Sequence, residues 1–485
     1  MIDLRDEHDY RGGVQAKHPG KEAVAVTFPA NIHLLNGWLP PTLFGVTAIS
    51  MLLVVVLPDA RRHTPHRRRS SLWRELLAGF IGFGVSGLVV WLLSDVFLVF
   101  GVSLGWMVMT VIAVTCALMA FAVAAIVDSH GIRRIAAVIL VVLSLLSGAL
   151  RVDMVYGEYT TLGSLFGVKA FPDMSQSQIS GKATMTIEQW KQHASRHDLP
   201  TMPKSGEIRT VDIPATASQF KARCADVYLP PAALSDKPPA LPVMVMLAGQ
   251  PGSPDRFFNA SGIAGTLNAY AAKHHGLAPI VVSPDQNGAA TQNSLCADTP
   301  VYGKAETYLT VDVTKWIRTT LPVSTAPKDW LIGGFSQGGT CSTQLGPAHP
   351  GIYGHIYAAD GELAPTDHDR ETTINRYFNG DAKLYQRHVP TDIIKRHAPS
   401  TQTLFSIAGQ WDAKSQRNAA IIAKAAKRSG MTVHLAMAKD SGHDWHTVNT
   451  GLAAVIDRFC AQSGIGADRR ELNTYPNLVM LNVDG

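Results

Sequence analysis

Charge is scarce in this 485-residue chain: Asp, Glu, Lys and Arg together make up 17% of it, against the ~25% usual for soluble domains. The deficit is uneven. Long apolar runs crowd the region before residue 155, which excludes a soluble protein of uniform composition. Cysteine is also sparse. None of the five stands in a CxxC or Cys/His spacing, which excludes a structural zinc module. Nucleic-acid-binding motifs are missing as well. A net charge of +5 invites such a partner, but Arg61, Arg62, Arg67, Arg68 and Arg69 form one cluster between two apolar runs, the pattern of a cytoplasmic loop. No nucleic acid, metal or cofactor is therefore expected, and no internal repeat or low-complexity tract interrupts the chain.

Four apolar segments are present: about Leu34 to Leu57, Leu76 to Val99, Leu104 to Val127 and Ile135 to Val155. Each approaches the ~20 residues that cross a ~30 Å hydrocarbon core. Buried helices of a soluble protein are the alternative, and four such runs in succession argue against it. The first run starts late, follows an acidic N-terminus and contains Pro40 and Pro41, so it does not read as a cleaved leader. The five-Arg loop and the short loop ending in Arg133 and Arg134 fall on one side of such a bundle. The positive-inside rule makes that side cytoplasmic, because the N-terminal segment and the loop near Gly101 carry no comparable basic excess. The expectation is a multi-pass protein of the cell membrane, with the lipid bilayer as partner. Residues 34–155 would span it, with residues 1–33 and everything after 155 extracytoplasmic. Cys116 lies within an apolar run. The other four, Cys224, Cys296, Cys341 and Cys460, suit two disulfides in an oxidising compartment, with three possible pairings; buried free thiols suit the sequence equally well.

Residues 156–205 read as a linker, polar from FPDMSQSQISGK onward. From residue 206 to 485, short apolar strands alternate with helical stretches. IRTVDI, ARCADVYLP, LPVMVMLAG, APIVVSP, DWLIGGF, GIYGHIYAAD, TQTLFSIAG and MTVHLAMA are the strands. The helices fall at about Ile263–His275, Glu306–Thr320, Gln337–Pro347, Asn418–Ser429 and Asp444–Cys460. That alternation implies a mostly parallel sheet with helices on both faces, an α/β class. The segment from Leu363 to Pro399 is a candidate cap whose shape has no periodic signal.

GFSQG, Gly334 to Gly338, fits G-x-S-x-G at a strand-to-helix junction. Such an elbow holds its serine in strained backbone geometry, and small flanking residues avoid collisions with the neighbouring strand and helix. Ser336 is the candidate nucleophile; an ordinary serine in a Gly-rich turn is the alternative. A serine hydroxyl needs a base to take its proton. His443 in SGHDWH, after the last predicted strand, is first choice, with His446 as rival or as a residue of the helix's first turn. Asp412 in GQWDAK, after the penultimate strand, is the expected acid, holding the imidazole tautomer. Asp360 and Glu362 compete for that role. Two backbone N–H groups should receive the developing oxyanion. Gln337 supplies one, and the AGQPGSPD loop the other, through Gln250 or Gly249, with Gln250 preferred; Pro251 has no N–H.

With GGFSQGG, KAETYLTVDVTKWI and GHDWH, residues from about Ile208 to Cys460 resemble the α/β-hydrolase superfamily. Within it they are similar to the putative-esterase group, which includes esterase D-like enzymes and antigen 85 mycolyltransferases. The resemblance implies an α/β-hydrolase fold behind a four-helix transmembrane bundle, and a Ser–Asp–His triad on Ser336, Asp412 and His443. One departure is evident: antigen 85 enzymes use a glutamate where this chain offers Asp412. Acid identity does not decide whether water or an alcohol attacks the acyl-enzyme. Three functions follow as expectations: a membrane-anchored carboxyl-ester hydrolase acting on lipid or lipid-linked envelope esters, an acyltransferase to a sugar or glycerol hydroxyl, and an inactive envelope-binding module. Oligomeric state is not legible.

Overall fold

The computed structural model describes residues 32–483 apart from 36, 59–64, 98, 100–103, 158, 167, 176–181 and 467–469. The N-terminal segment to residue 31, Arg61, Arg62 and the loop near Gly101 lie outside the described residues, as do the side chains of Arg67, Arg68 and Arg69.

Each apolar run becomes a helix: α1 Leu39–Val56, α2 Pro65–Trp91, α3 Gly105–Asp128 and α4 Ile132–Tyr156. All four are long and apolar enough to cross a membrane. α1 starts five residues later than its apolar run because Pro40 and Pro41 sit in its first turn, where a missing N–H costs no helical bond. α2 starts eleven residues earlier than Leu76, since an apolar pattern marks burial in lipid and not where helical hydrogen bonding begins. Its added turns carry Glu75, fully buried at the end of the bundle away from residue 156. There Arg133 grips the carboxylate with both terminal nitrogens, at 3.0 and 2.5 Å, while its Nε donates to the Val54 carbonyl at 2.8 Å. The positive charge counted for Arg133 in that loop is thus neutralised internally by Glu75. Removing one partner of a buried pair strands the other charge. Glu75→Ala is expected to destabilise the bundle by about 3–5 kcal/mol, read as a lowered unfolding midpoint in detergent.

A nine-stranded sheet follows, built from β1 Glu207–Val211, β2 Ala225–Leu229, β3 Val243–Leu247, β4 Ile280–Ser283, β7 Trp330–Phe335, β8 His355–Ala359, β9 Thr403–Gly409, β10 Thr432–Ala438 and β11 Leu478–Met480. β5 Asp298–Thr299 and β6 Gly303–Lys304 make a separate small hairpin. The sheet order is β1-β2-β4-β3-β7-β8-β9-β10-β11. Pairing is parallel from β4 through β10 and antiparallel at both edges. β2, β3, β4, β7 and β8 are buried at every residue, as strands covered on both faces must be. With helices on both faces, this is an α/β-hydrolase fold preceded by a helical bundle.

The residues from 156 to 205, read as a linker, are in large part packed onto the sheet. Met174 N–H bonds to the Thr210 carbonyl at 2.9 Å. Ile187–Ser195 forms α5, which buries Trp190 completely and bonds its indole to the His275 carbonyl at 2.9 Å. A legible signal was present: Thr186 and Gln189 form a capping box. The remaining helices are α6 Arg256–Ser261, α7 Ile263–Lys273, α8 Ala305–Thr307 running through a π turn into α9 Val313–Thr320, and α10 Gln337–Ala348. Then come α11 Arg370–Tyr377, α12 Ala382–Gln386, α13 Pro390–Arg396, α14 Ala413–Arg428 and α15 Trp445–Gln462. The candidate cap is α11 to α13, and its Ile374, Tyr377, Phe378 and Tyr385 cluster with Leu295 and Ala297.

Of the two disulfides suited to the cysteine count, one forms, Cys296–Cys341. Cys224 and Cys460 remain free thiols. Cys460 is buried at the end of α15, whereas Cys224 lies before β2 and donates to the Asp212 carboxylate at 2.9 Å. An even count therefore overstated the pairing, because the count carries no information about which cysteines share a neighbourhood.

Candidate active site

The parallel strands point the same way, so the loops after β3, β7, β8, β9 and β10 converge at one edge of the sheet. Each carries a singled-out residue: Gln250, Ser336, Asp360, Asp412 and His443 in turn. Ser336 stands between β7 and α10 with φ +55° and ψ −114°, a conformation that an L-residue adopts only when its surroundings impose it. Two contacts explain the neighbouring glycines. A Cβ on Gly338 would meet the Leu247 carbonyl at 2.1 Å, and one on Gly334 would meet Gly338 and Leu247 backbone at 2.5 Å. Elbow, β3 and α10 can approach this closely only without side chains there.

His443 joins the site's two ends. Its Nε2 lies 2.8 Å from Ser336 Oγ and its Nδ1 lies 2.8 Å from Asp412 Oδ2. Phe335 packs against the imidazole with ring centroids 5.1 Å apart, and also against Trp445. Asp412 has a second duty: its Oδ1 caps α14 by accepting from the Ser415 N–H at 3.0 Å. That cap starts the helix five residues before the apolar pattern at Asn418. Burial opposes charge on Asp412, but the hydrogen bond and charge of His443, with the Ser415 bonds, outweigh it and bring the carboxyl down to about 2. Burial likewise opposes the imidazolium, yet the Asp412 hydrogen bond and nearby carboxylates prevail and raise His443 above its ordinary 6.5. We attribute the rise mainly to Asp412.

The rivals are placed elsewhere or differently. His446 is exposed on the first turn of α15, where its N–H donates to the Asp444 cap at 3.0 Å. Glu362 pairs with Lys414 at 3.4 Å. Asp360 is fully buried beneath the pair, at φ +48°, accepting the Gly409 N–H at 2.9 Å on one oxygen while the other has no hydrogen-bond partner among the described residues. Burial first, and the neighbouring Asp412 charge after it, push its carboxyl well above the usual carboxylate range. A neutral Asp360 is a poor imidazolium partner. Asp360, Asp412 and His443 offer ligand atoms within 4.8 Å of one another, but both ring nitrogens of His443 are already engaged.

For the candidate oxyanion donors, the Gly249 backbone faces Phe335 and Ser336, which places the Gln250 loop beside the elbow. Among the described residues, neither the Gln337 nor the Gln250 backbone N–H has a protein acceptor. Sequence reasoning missed what steadies the elbow. The Gln337 side chain bonds to Asn287 at 2.9 and 2.8 Å, to Asn293 at 2.8 Å and to Gln286 at 3.2 Å. The Cys296–Cys341 disulfide ties that same asparagine loop to α10. Closing a 45-residue loop stabilises by about 4 kcal/mol in the chain-entropy treatment. Cys341→Ser is expected to lower the unfolding midpoint and to reduce labelling at Ser336 by a fluorophosphonate. A cavity of about 540 Å³ lined by His355, His397 and Gln402 opens at the amino ends of the strands, away from Ser336.

Comparison with known proteins gives the chemistry a family context. Residues 221–456 match a family model described as Putative esterase. The match contains Ser336, Asp412 and His443, and it supports an ester-cleaving hydrolase on this fold. An uncharacterized protein of Corynebacterium glutamicum is 28% identical over 445 residues, covering 89% of this chain and all of that protein. Such coverage must take in much of the helical bundle as well. Among solved structures, a ferulic acid esterase aligns at 18% identity and TM-score 0.45, covering 53% of this chain and 98% of its own. An S-formylglutathione hydrolase from Agrobacterium tumefaciens aligns at 17% and TM-score 0.45, covering 55% and 98%.

Proposed function

We propose that this protein is a serine carboxyl-ester hydrolase held in the cell membrane, with its catalytic body on the extracytoplasmic side, acting on lipid or lipid-linked esters. The observation that carries the chemistry is His443 bridging Ser336 and Asp412 at 2.8 Å on each side. Ser336 Oγ attacks the ester carbonyl as His443 Nε2 takes its proton. Asp412 stays ionised and stabilises the imidazolium. The Gln337 and Gln250 N–H groups receive the negative charge on the carbonyl oxygen. The intermediate collapses, the alcohol leaves with the proton from His443, and water repeats the sequence on the acyl-enzyme to release the acid.

The bundle and the Arg-rich loop support membrane placement, and the Cys296–Cys341 bond favours an oxidising compartment. Four spans exceed what a tether requires, which favours a substrate that also resides in lipid. Purified full-length protein, given a generic acyl ester with and without sugar or glycerol acceptors, tests the reaction. Free acid without acceptor, and no ester product on adding one, is expected. Acyl transfer as the main product would replace hydrolysis by transferase activity, and no acyl-enzyme at all would leave a binding module.

A further inference from the structure

The four helices do not fill their own bundle. α4 packs against both α1 and α3, while α2 packs on α3. At the end away from the hydrolase, α1, α3 and α4 close around Val54, Phe121, Ala125 and Leu140. Towards the hydrolase α1 and α3 part, and a groove of about 370 Å³ opens between them. Phe44, Met51, Val114 and Leu118 supply apolar walls, and α4 forms the floor. The volume falls within the range of ligand sites.

Two of the polar residues in this lining stand out. Ser144 on the floor is only 1% exposed, and among the described residues its hydroxyl has no hydrogen-bond partner, although serines in helices ordinarily bond to the preceding turn. Arg151 stands at the end of the groove nearest the hydrolase, five residues before α4 ends. Among the described residues no carboxylate pairs with it; its one polar contact is the Met107 sulfur at 3.7 Å. An unpaired cation within a membrane span is costly unless something neutralises it. The groove also leads to the chemistry. Trp106, beside Met107, meets Trp411 edge to face with centroids 6.1 Å apart, and Trp411 precedes Asp412.

We propose that the groove between α1 and α3 seats one acyl chain of an anionic phospholipid, with Arg151 binding the phosphate and the headgroup directed along the Trp106–Trp411 contact toward Ser336. Charge complementarity commits the site to an anionic lipid, and the apolar walls commit it to a chain. The inference deepens the lipid-ester reading and rests on it for the direction of delivery, but occupancy of the groove is independent of turnover.

Full-length protein in nanodiscs containing phosphatidylglycerol with a diazirine in one acyl chain provides the test, with the phosphatidylcholine analogue as comparator. Adducts are expected to concentrate on residues 110–118 and 144–151. Arg151→Gln should lower phosphatidylglycerol adducts there several-fold and phosphatidylcholine adducts much less, because choline already offsets that lipid's phosphate charge, while Arg151→Lys should restore them. Ala48→Phe, which fills the groove from α1, should lower both. Adducts spread evenly over the lipid-facing sides of all four helices, indifferent to these substitutions, would mean annular lipid only and overturn the proposal. Because labelling requires no turnover, an inactive Ser336 would defeat the esterase reading without altering the adduct map.

Discussion

Ser336→Ala should lower ester turnover by about 10⁶-fold and abolish covalent labelling by a fluorophosphonate. The effect is large because, in the proposed mechanism, Oγ is the atom that forms the acyl bond. His443 is held beside Ser336 Oγ by Asp412 and by packing against Phe335. Alanine fits the elbow as well as serine does: the strain at φ +55° belongs to the backbone, and the glycines that permit it are untouched. Loss of activity should therefore come with an unchanged unfolding midpoint. Labelling that persists in Ser336→Ala would remove this residue from the chemistry.

Asp412→Asn should cost about 10⁴-fold in kcat, by analogy with the aspartate-to-asparagine change in a Ser-His-Asp protease. An amide can present its NH₂ to Nδ1 and favour the tautomer with the proton on Nε2, which cannot accept from Ser336. The pH profile provides a second, independent readout. Base catalysis needs neutral His443, so activity rises with pH through its pKa. The Asp412 bond holds that pKa above 6.5, placing the acid limb of kcat/KM above 6.5 in the native protein. Removing the carboxylate removes the largest influence favouring the imidazolium, and the limb should move to lower pH. Asp360→Asn should leave rates within about tenfold, because a carboxyl already neutral loses little as an amide. A larger loss for Asp360→Asn than for Asp412→Asn would exchange their roles.

What the residues alone disclose here follows from local rules. Strand against helix is legible from periodicity, and the eight strands anticipated between residues 207 and 438 all form. The elbow is legible because only glycines tolerate the contacts at positions 334 and 338. β11 was not, since three residues carry too little pattern, and neither was the start of α14, where a side-chain cap replaces apolar periodicity.

Choices among like residues needed three dimensions. His443 and His446 stand three positions apart, yet one faces Ser336 and the other faces solvent, because α15 begins between them. Asp360 and Asp412 both follow strands, and only burial tells them apart: one has no outlet for charge and the other has an imidazole. The same holds for which cysteines pair, and for the groove between α1 and α3. Composition determined that four helices would be apolar; how far apart they stand is set by packing, which no single segment encodes.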